Sequence, residues 1–423
     1  MRRRNCLGLF RAAVFALLGA AAAVAGEANY QQYQIGGRSA GMGGAVCATV
    51  DSLESAMYNP AGLARGTGDS VSVSGSLYGW QRLEVSDALF INESFESRMY
   101  ENIPTLAGGT ARLGEDWVGG FSAIVLEQHS GSLQLVQAEG RHAYTFSDSS
   151  QSMLVGPSLG YRANERLTLG ASLFVAYIMS TASRSLYWGD HGISHSSYFR
   201  LRTFEVLGVL GAQLQLADHW FAGLSLATPS ATVAGNGTYQ QQTSLNRLDD
   251  QGQTFEYADD LDSSYNLPAK MTAGLGYRQP GRYGAGLDVS YHMPGSSTIL
   301  SGTLNDGQEV EAVFHRNWVL DANLGGELYL GRNYPVRAGF FTSQSAMREE
   351  DLGRYSTPSI DLYGVTASVG RESRNILLDL GVNYTFGSGK DYGWTVLDPV
   401  VPQRVVNARE ENLYIFLNTS YMF

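Results

Sequence analysis

NLYIFLNTSYMF, residues 412–423, alternates from one end to the other. Leu413, Ile415, Leu417, Thr419, Tyr421 and Phe423 share one face, and Tyr414, Asn418 and Ser420 share the other. Period two with unlike faces is the signature of a β-strand between two different environments. RLTLGASLFVAYI, residues 166–178, repeats it, with Leu167, Leu169, Leu173, Val175 and Tyr177 set against Thr168, Gly170 and Ser172. Fourteen such segments follow residue 69, near 70–80, 102–113, 116–128, 151–162, 165–179, 201–216, 219–229, 266–278, 282–293, 317–330, 333–343, 359–371, 374–386 and 412–423.

The connections sort themselves. Gly114-Glu115, Ala163-Asn164, Ala217-Asp218, Gln279 to Gly281, Gly331-Arg332 and Glu372-Ser373 read as tight turns. Between them fall long connections at 81–101, 129–150, 180–200, 230–265, 294–316, 344–358 and 387–411. Strict alternation of short and long, with an even strand number, is the pattern of an antiparallel transmembrane β-barrel, short turns at one rim and long loops at the other. Closure removes the exposed edges that so many strands would otherwise leave. The fold class expected is therefore all-β: a 14-stranded barrel with an N-terminal plug.

The charges obey the same parity. Leu320, Leu324 and Leu328 oppose Asp321 and Glu327; Leu287 and Val289 oppose Asp288; Leu378, Leu380 and Val382 oppose Asp379. Charge against lipid is costly, so this set should face the lumen, together with Arg112, Arg162, Glu205, Lys270, Arg278 and Arg337. Opposite charges are expected to pair there. They either solvate and rigidify the lumen or line a path. Tyr78, Trp80, Trp117, Trp220, Tyr291, Trp318 and Tyr421, near strand ends, suit interfacial girdles.

The first 25 residues read as a secretory leader: a basic start (MRRRN), an apolar run at 12–25, and a small-residue cleavage site at Ala23-Val24-Ala25. Without the leader's four arginines the chain carries 25 basic and 40 acidic residues, a net charge of −15, which disfavours nucleic-acid binding. One cysteine remains, Cys47, so no intrachain disulfide forms.

GRSAGMGGAVCATVDSLESAMYNPAGLAR, residues 37–65, is the least strand-like part of the exported chain. Gly41-Met42-Gly43 lacks the third glycine of a dinucleotide fingerprint, and no strand precedes it. No G-x-S-x-G elbow is present. The stretch reads instead as a compact plug. Asp51 is placed to cap a short helix, with Glu54 completing a capping box. Pro60 ends that helix, and Asn59 caps a second turn that begins with Pro60. A segment of this size, 26–69, fills the lumen of a barrel that spans 70–423.

SAGMGGA, Asp51 and YNPAGLA resemble the N-terminal hatch of the FadL/TodX-type outer-membrane transporters of hydrophobic compounds. Leu267-Pro268-Ala269 with TAGLGY at 272–277, Leu224-Ser225 to Thr228-Pro229, and VRAGF at 336–340 are similar to further segments of that family. The resemblance implies passive uptake of hydrophobic molecules, such as long-chain fatty acids or aromatic hydrocarbons. They would land on apolar outer residues, enter the lumen and leave through an opening in the wall. It implies a hatch or gate at Gly41, Gly43, Gly44, Asp51, Asn59, Pro60 and Ala61, with 26–50 as its movable part. Gly119 and Gly120 would form a kink beside the opening. Leu186, Tyr187, Trp188, Ile193, Tyr198 and Phe199 would form the landing cluster. The expected partners are a hydrophobic ligand, outer-membrane lipids and the barrel-insertion machinery, for which a terminal Phe423 is the usual signal; no cofactor is implied. The polar text of 180–200 and 230–265 keeps a second reading open, a non-conducting docking barrel of a secretion or surface-assembly system. Asp190, His191 and His195 do not form a metal motif, since GDHGISHSS is a poor helix and no Glu follows His191. No catalytic motif is evident, so the chain is not read as an enzyme.

Overall fold

The computed structural model describes residues 28–423 apart from 67, 91–92, 102, 138–141, 190–191, 248–249, 349–350, 352–357 and 394–403. The expected leader at 1–25 therefore lies outside the described residues. Two short helices, α1 (Arg38–Gly41) and α2 (Ser55–Tyr58), and a 3-10 turn (Pro60–Arg65) precede the strands. The strands are β1 (Ser70–Phe90), β2 (Glu93–Glu101), β3 (Pro104–Arg112), β4 (Trp117–Gln137), β5 (His142–Arg162), β6 (Leu167–Trp188), β7 (Ile193–Ala217), β8 (Trp220–Ala227), β9 (Ala231–Arg247) and β10 (Asp250–Leu261). Then follow β11 (Lys270–Gln279), β12 (Tyr283–His292), β13 (Gly295–Thr303), β14 (Glu309–Arg316), β15 (Val319–Leu330), β16 (Tyr334–Ser343), β17 (Ser359–Glu372), β18 (Ile376–Gly393) and β19 (Arg404–Met422).

Seventeen of these form one antiparallel sheet, which β1 and β19 close from Ser70↔Met422 to Val85↔Ala408. Three staves are interrupted. β3 and β2 both pair with β1, β8 and β9 both pair with β7, and β11 and β10 continue the next stave along β8 and β9. The barrel thus has fourteen staves, and each of the fourteen alternating segments lies on one of them. β13 and β14 make a separate hairpin, whose Ile299, Leu300 and Phe314 are buried in the lumenal core.

The six tight turns stand at one rim, with Gly281 (φ 68°) and Gly331 (φ 69°) supplying the left-handed residue in two of them. The other rim corrects an expectation. Most of 81–101, 129–150, 180–200 and 230–265 is strand, not loop. In these extensions Ser, Thr and Gln fall among the apolar residues, such as Phe199, Tyr239 and Ala258 in the core, and break up the alternation. The backbone groups still need partners, and continuing the ladder supplies them.

Outward-facing Leu173, Leu324, Leu328 and Leu380 are 45–56% exposed, an apolar surface with no place in water. Aromatic pairs bound it. Trp117–Tyr161 (4.4 Å), Trp220–Tyr277 (5.3 Å) and Tyr277–Tyr283 (5.5 Å) stand at the short-turn rim. Tyr78–Tyr100 (5.9 Å), Tyr291–Trp318 (6.2 Å) and Tyr363–Phe386 (6.2 Å) stand at the opposite level. On β12 the two belts are Tyr283 and Tyr291. That separation is about 26 Å along a strand, or roughly 20 Å across a bilayer at a tilt of about 40°. The barrel therefore presents a lipid-spanning band.

Candidate functional site

The N-terminal segment sits inside the barrel, and Asn59 is its pivot. α2 ends at Tyr58, Asn59 is extended (φ −164°, ψ 100°), and Pro60 opens the 3-10 turn. The Asn59 Oδ1 accepts from Ala61 N at 3.3 Å. Its Nδ2 donates to the carbonyls of Cys47 (2.8 Å) and Ala212 (3.0 Å). One buried side chain thus caps a turn, closes the hatch on itself and ties it to β7. The capping box expected ahead of α2 is absent. Asp51 pairs with Arg278 on β11, and Glu54 accepts from Gly37 N (2.5 Å), Ser39 N (3.1 Å) and the Ser39 hydroxyl. Local spacing favoured a cap, but closer donors reached both carboxylates from elsewhere in the fold. Burial raises the Glu54 carboxyl above its ordinary range, and those donors oppose the shift.

Lumen-facing glycines form the seat. Cross-strand register links Gly160, Gly170 and Gly211, then Gly223 and Gly274, then Gly276, Gly286, Gly325 and Gly339. A Cβ at each would stand 2.1–2.9 Å from a hatch atom, among them the Ala45 carbonyl at Gly286 and Asn59 Oδ1 at Gly211. Hatch and wall therefore meet backbone to backbone over one arc of the barrel. Gly43 (φ 62°) and Gly44 (φ 80°) take left-handed conformations there, the Gly43 carbonyl accepts from Asn323 Nδ2 (2.6 Å), and the Gly41 carbonyl accepts from Thr366 Oγ1 (3.0 Å). Ala61 is fully buried. On the opposite arc Ser72, Thr110, Asn418 and Ser420 leave a polar crevice beside Arg38, Asp51 and Glu54. This belt is absent from the sequence reading, although glycines recurring at lumen parity would have pointed to it.

The lumenal charges do two jobs. Arg337 joins Asp379 (2.5 Å), Glu327 (3.2 Å) and Glu372 (3.3 Å), and Glu327 also holds Arg38 of α1 (2.8 Å). Pairing accounts for these and for Arg278. The other carboxylates correct the expectation of charge pairing, because they satisfy backbone N–H groups. Asp288 accepts from Val46 N and Cys47 N (2.8 Å each), and Asp321 from Gln344 N (2.9 Å). Glu205 accepts from Tyr265 N (2.7 Å) and Asn266 N (3.0 Å), where the staves containing β8–β11 are interrupted. Arg162 donates to the Ala64 carbonyl (3.1 Å), and Arg112 is exposed beside Gly68. Lys270 lines a chamber with Leu126, Leu154, Phe174, Leu207, Val209 and Leu267.

One apolar cluster occupies the upper lumen. It includes Phe199, Leu201 and Phe314 near the outer end, Phe174, Ile178 and Val209 on the wall, and Ile35, Leu53 and Ala56 of the hatch. It also includes Ile103, Leu106, Ile124 and Val125, beside a discontinuity in the wall. The β3–β4 ladder ends at Leu106↔Ile124; beyond it β2 pairs with β1 and β4 with β5, and among the described residues no ladder joins β2 to β4. A register shift between Val125 and Glu127 marks the spot, and Tyr33 Oη of the hatch donates to the Val125 carbonyl (3.0 Å). Gly119 and Gly120 lie lower, in regular register with Ala111 and Thr110.

The six landing residues lie on paired strands, with Leu186↔His195, Tyr187↔Ser194 and Trp188↔Ile193 in register. Phe199 is buried in the core, Leu186, Ile193 and Tyr198 are half-buried, and Tyr187 is exposed. Asp190 and His191 lie outside the described residues. His195 Nδ1 meets Thr243 Oγ1 at 2.9 Å, and no metal-binding cluster occurs among the described residues.

No family model and no curated protein matches the sequence. Solved structures do. A FadL homologue from Pseudomonas aeruginosa superposes with a TM-score of 0.68 at 12% identity, over 94% of this chain and all of that one. The toluene transporter TodX of Pseudomonas putida gives 0.65 at 15%, over 93% of this chain and 100% of TodX. The CymD monoaromatic hydrocarbon channel gives 0.64 at 15%, over 93% and 99%. The fold is that of FadL/TodX-type barrels.

Proposed function

We propose that this chain, which carries the FadL/TodX fold, is a passive outer-membrane channel for hydrophobic molecules and not an enzyme. Residues 1–25 direct export, 26–69 are the hatch, and the insertion machinery assembles 70–423 among outer-membrane lipids. The observation that carries the reading is the continuity of the apolar cluster from Phe199 to the hatch and to the β2–β4 discontinuity. Apolar solutes cross such a path without desolvating polar groups, and their gradient suffices to drive them. Asn59 and Pro60 hold the hatch, and Tyr33 couples its leading segment to the wall beside the exit.

The test is uptake of radiolabelled oleate and toluene by cells producing the barrel, against cells without it and cells producing Asn59→Ala/Pro60→Ala at equal surface level. Uptake that requires the barrel and changes in the hatch variant is expected. No barrel-dependent uptake of either compound would refute transport. The tall polar outer strands would then favour the docking reading, tested by cross-linking at those strands.

A further inference from the structure

Ser132, Ser147, Ser183, Tyr198, Gln240 and Tyr257 stand level across β4, β5, β6, β7, β9 and β10, above the outer aromatic belt. The next row up, from Gln134 to Phe255, is likewise uncharged. Ser147, Ser183 and Ser185 are exposed, whereas Ala182, Arg184, Phe199 and Tyr239, at the alternate parity, are buried inside. The rows therefore face outward, on a sheet roughly 24 Å wide at about 4.8 Å per strand. A surface built for water alone is roughly a quarter or more charged. The cations of this face lie lower. Phe204 on β7 meets Tyr177 on β6 at 5.1 Å, in the outer belt. Arg202 and Arg200 follow Phe204 at the same parity, roughly 5 and 10 Å above the belt for a tilt of about 40°. Arg202 is exposed, and among the described residues no carboxylate oxygen comes within 4.0 Å of it; Asp259 stands at that limit from Arg200. Asp259 takes Thr238 (2.5 Å) and Tyr257 (2.9 Å), and Asp260 takes Asn236 (2.6 Å). On β1 the matching level differs. Arg82, two residues beyond Trp80, is held by Glu84 (3.2 Å), Glu96 (3.0 Å) and Glu411 (3.7 Å).

Guanidinium forks match phosphate oxygens, and they sit here at the height of a lipid headgroup. Hydroxyls and amides both donate and accept, as sugar hydroxyls require, and a tyrosine offers an apolar ring with a polar tip. We propose that this outward face docks a phosphorylated, sugar-headed lipid of the outer leaflet, with Arg202 and Arg200 on its phosphate and the uncharged rows against its sugars. The face continues the lipid-spanning band upward, so an annular lipid whose acyl chains lie on that band reaches it without leaving the membrane. The proposal rests on the outer-membrane placement in the reading above and not on transport; it names the lipid the barrel prefers. A hydrogen bond to a charged donor is worth roughly a 10-fold or greater preference.

The experiment titrates the folded barrel in detergent with rough lipopolysaccharide, lipid A and phosphatidylglycerol, read by native mass spectrometry. The wild type should bind them in that order of affinity. Arg200→Gln/Arg202→Gln should weaken lipopolysaccharide and lipid A roughly 10-fold or more. Ser147→Leu/Ser183→Leu should erase the gain of lipopolysaccharide over lipid A and leave lipid A unchanged. Arg82→Gln, the same charge loss at a paired site, should change binding less than threefold. Unchanged mobility on an unheated gel confirms that the variants fold. In intact cells a photo-reactive residue at position 183 should yield lipopolysaccharide adducts. Phosphatidylglycerol bound as tightly as lipid A, wild-type binding by the arginine variant, an equal loss in Arg82→Gln, or a protein adduct in place of the lipid one overturns the inference and leaves the channel standing. A barrel absent from the outer-membrane fraction of those cells would instead refute the reading on which it rests.

Discussion

Cys47 is a built-in reporter of the hatch. It is 1% exposed, lies on the hatch against the glycine seat, and is the sole cysteine beyond the expected leader. Asn59→Ala removes the bonds to Cys47 O, Ala212 O and Ala61 N. Each such bond is worth about 1 kcal/mol, and the partners left behind stay buried, so the loss should be roughly 2–4 kcal/mol. None of these bonds belongs to the barrel ladder, so the loss falls on the hatch, on its own turn and closure and on its tie to β7. At about 1.4 kcal/mol per tenfold, the undocked population rises by about 30-fold to 700-fold. When closing outpaces modification, the rate of modification follows that population. The assay is maleimide labelling of intact cells or proteoliposomes, followed by mass spectrometry, with Cys47→Ser as the blank. Labelling of Asn59→Ala within threefold of wild type, in a barrel with normal heat-modifiable mobility, would refute the assignment of Asn59 as the pivot.

Two further outcomes follow from the same geometry. Gly286→Leu puts a side chain where the Ala45 carbonyl stands 2.1 Å from the ideal Cβ, and neither backbone can yield. The hatch should fail to seat, with Cys47 labelling raised by at least ~100-fold, an overpacking cost of about 3 kcal/mol, while the barrel still inserts. Arg337→Met strands Asp379 in the lumen, a loss of about 3–5 kcal/mol; adding Asp379→Asn should recover much of it, measured by urea-dependent loss of the folded band.

Much of this protein follows from sequence alone. All fourteen staves, the six tight turns, and the lumen parity of Asp288, Asp321, Glu327, Arg337 and Asp379 are written in the period of the chain, because a barrel wall meets hydrocarbon on one side and a polar interior on the other. Asn59-Pro60 was legible as a helix stop and cap because both effects act within three residues. The strand extensions were hidden because Ser, Thr, Gln and charged residues occupy both faces among the apolar ones, so the hydrophobic alternation is too broken to read. Asp51 and Glu54 were misassigned as a local cap because their true partners, Arg278 and the Gly37–Ser39 backbone, lie outside that helix start. The glycine seat and the split between β2 and β4 were set only by closure. Each depends on which residues far apart in the chain come level across the barrel, and that is fixed by register and shear, quantities no local window of sequence contains.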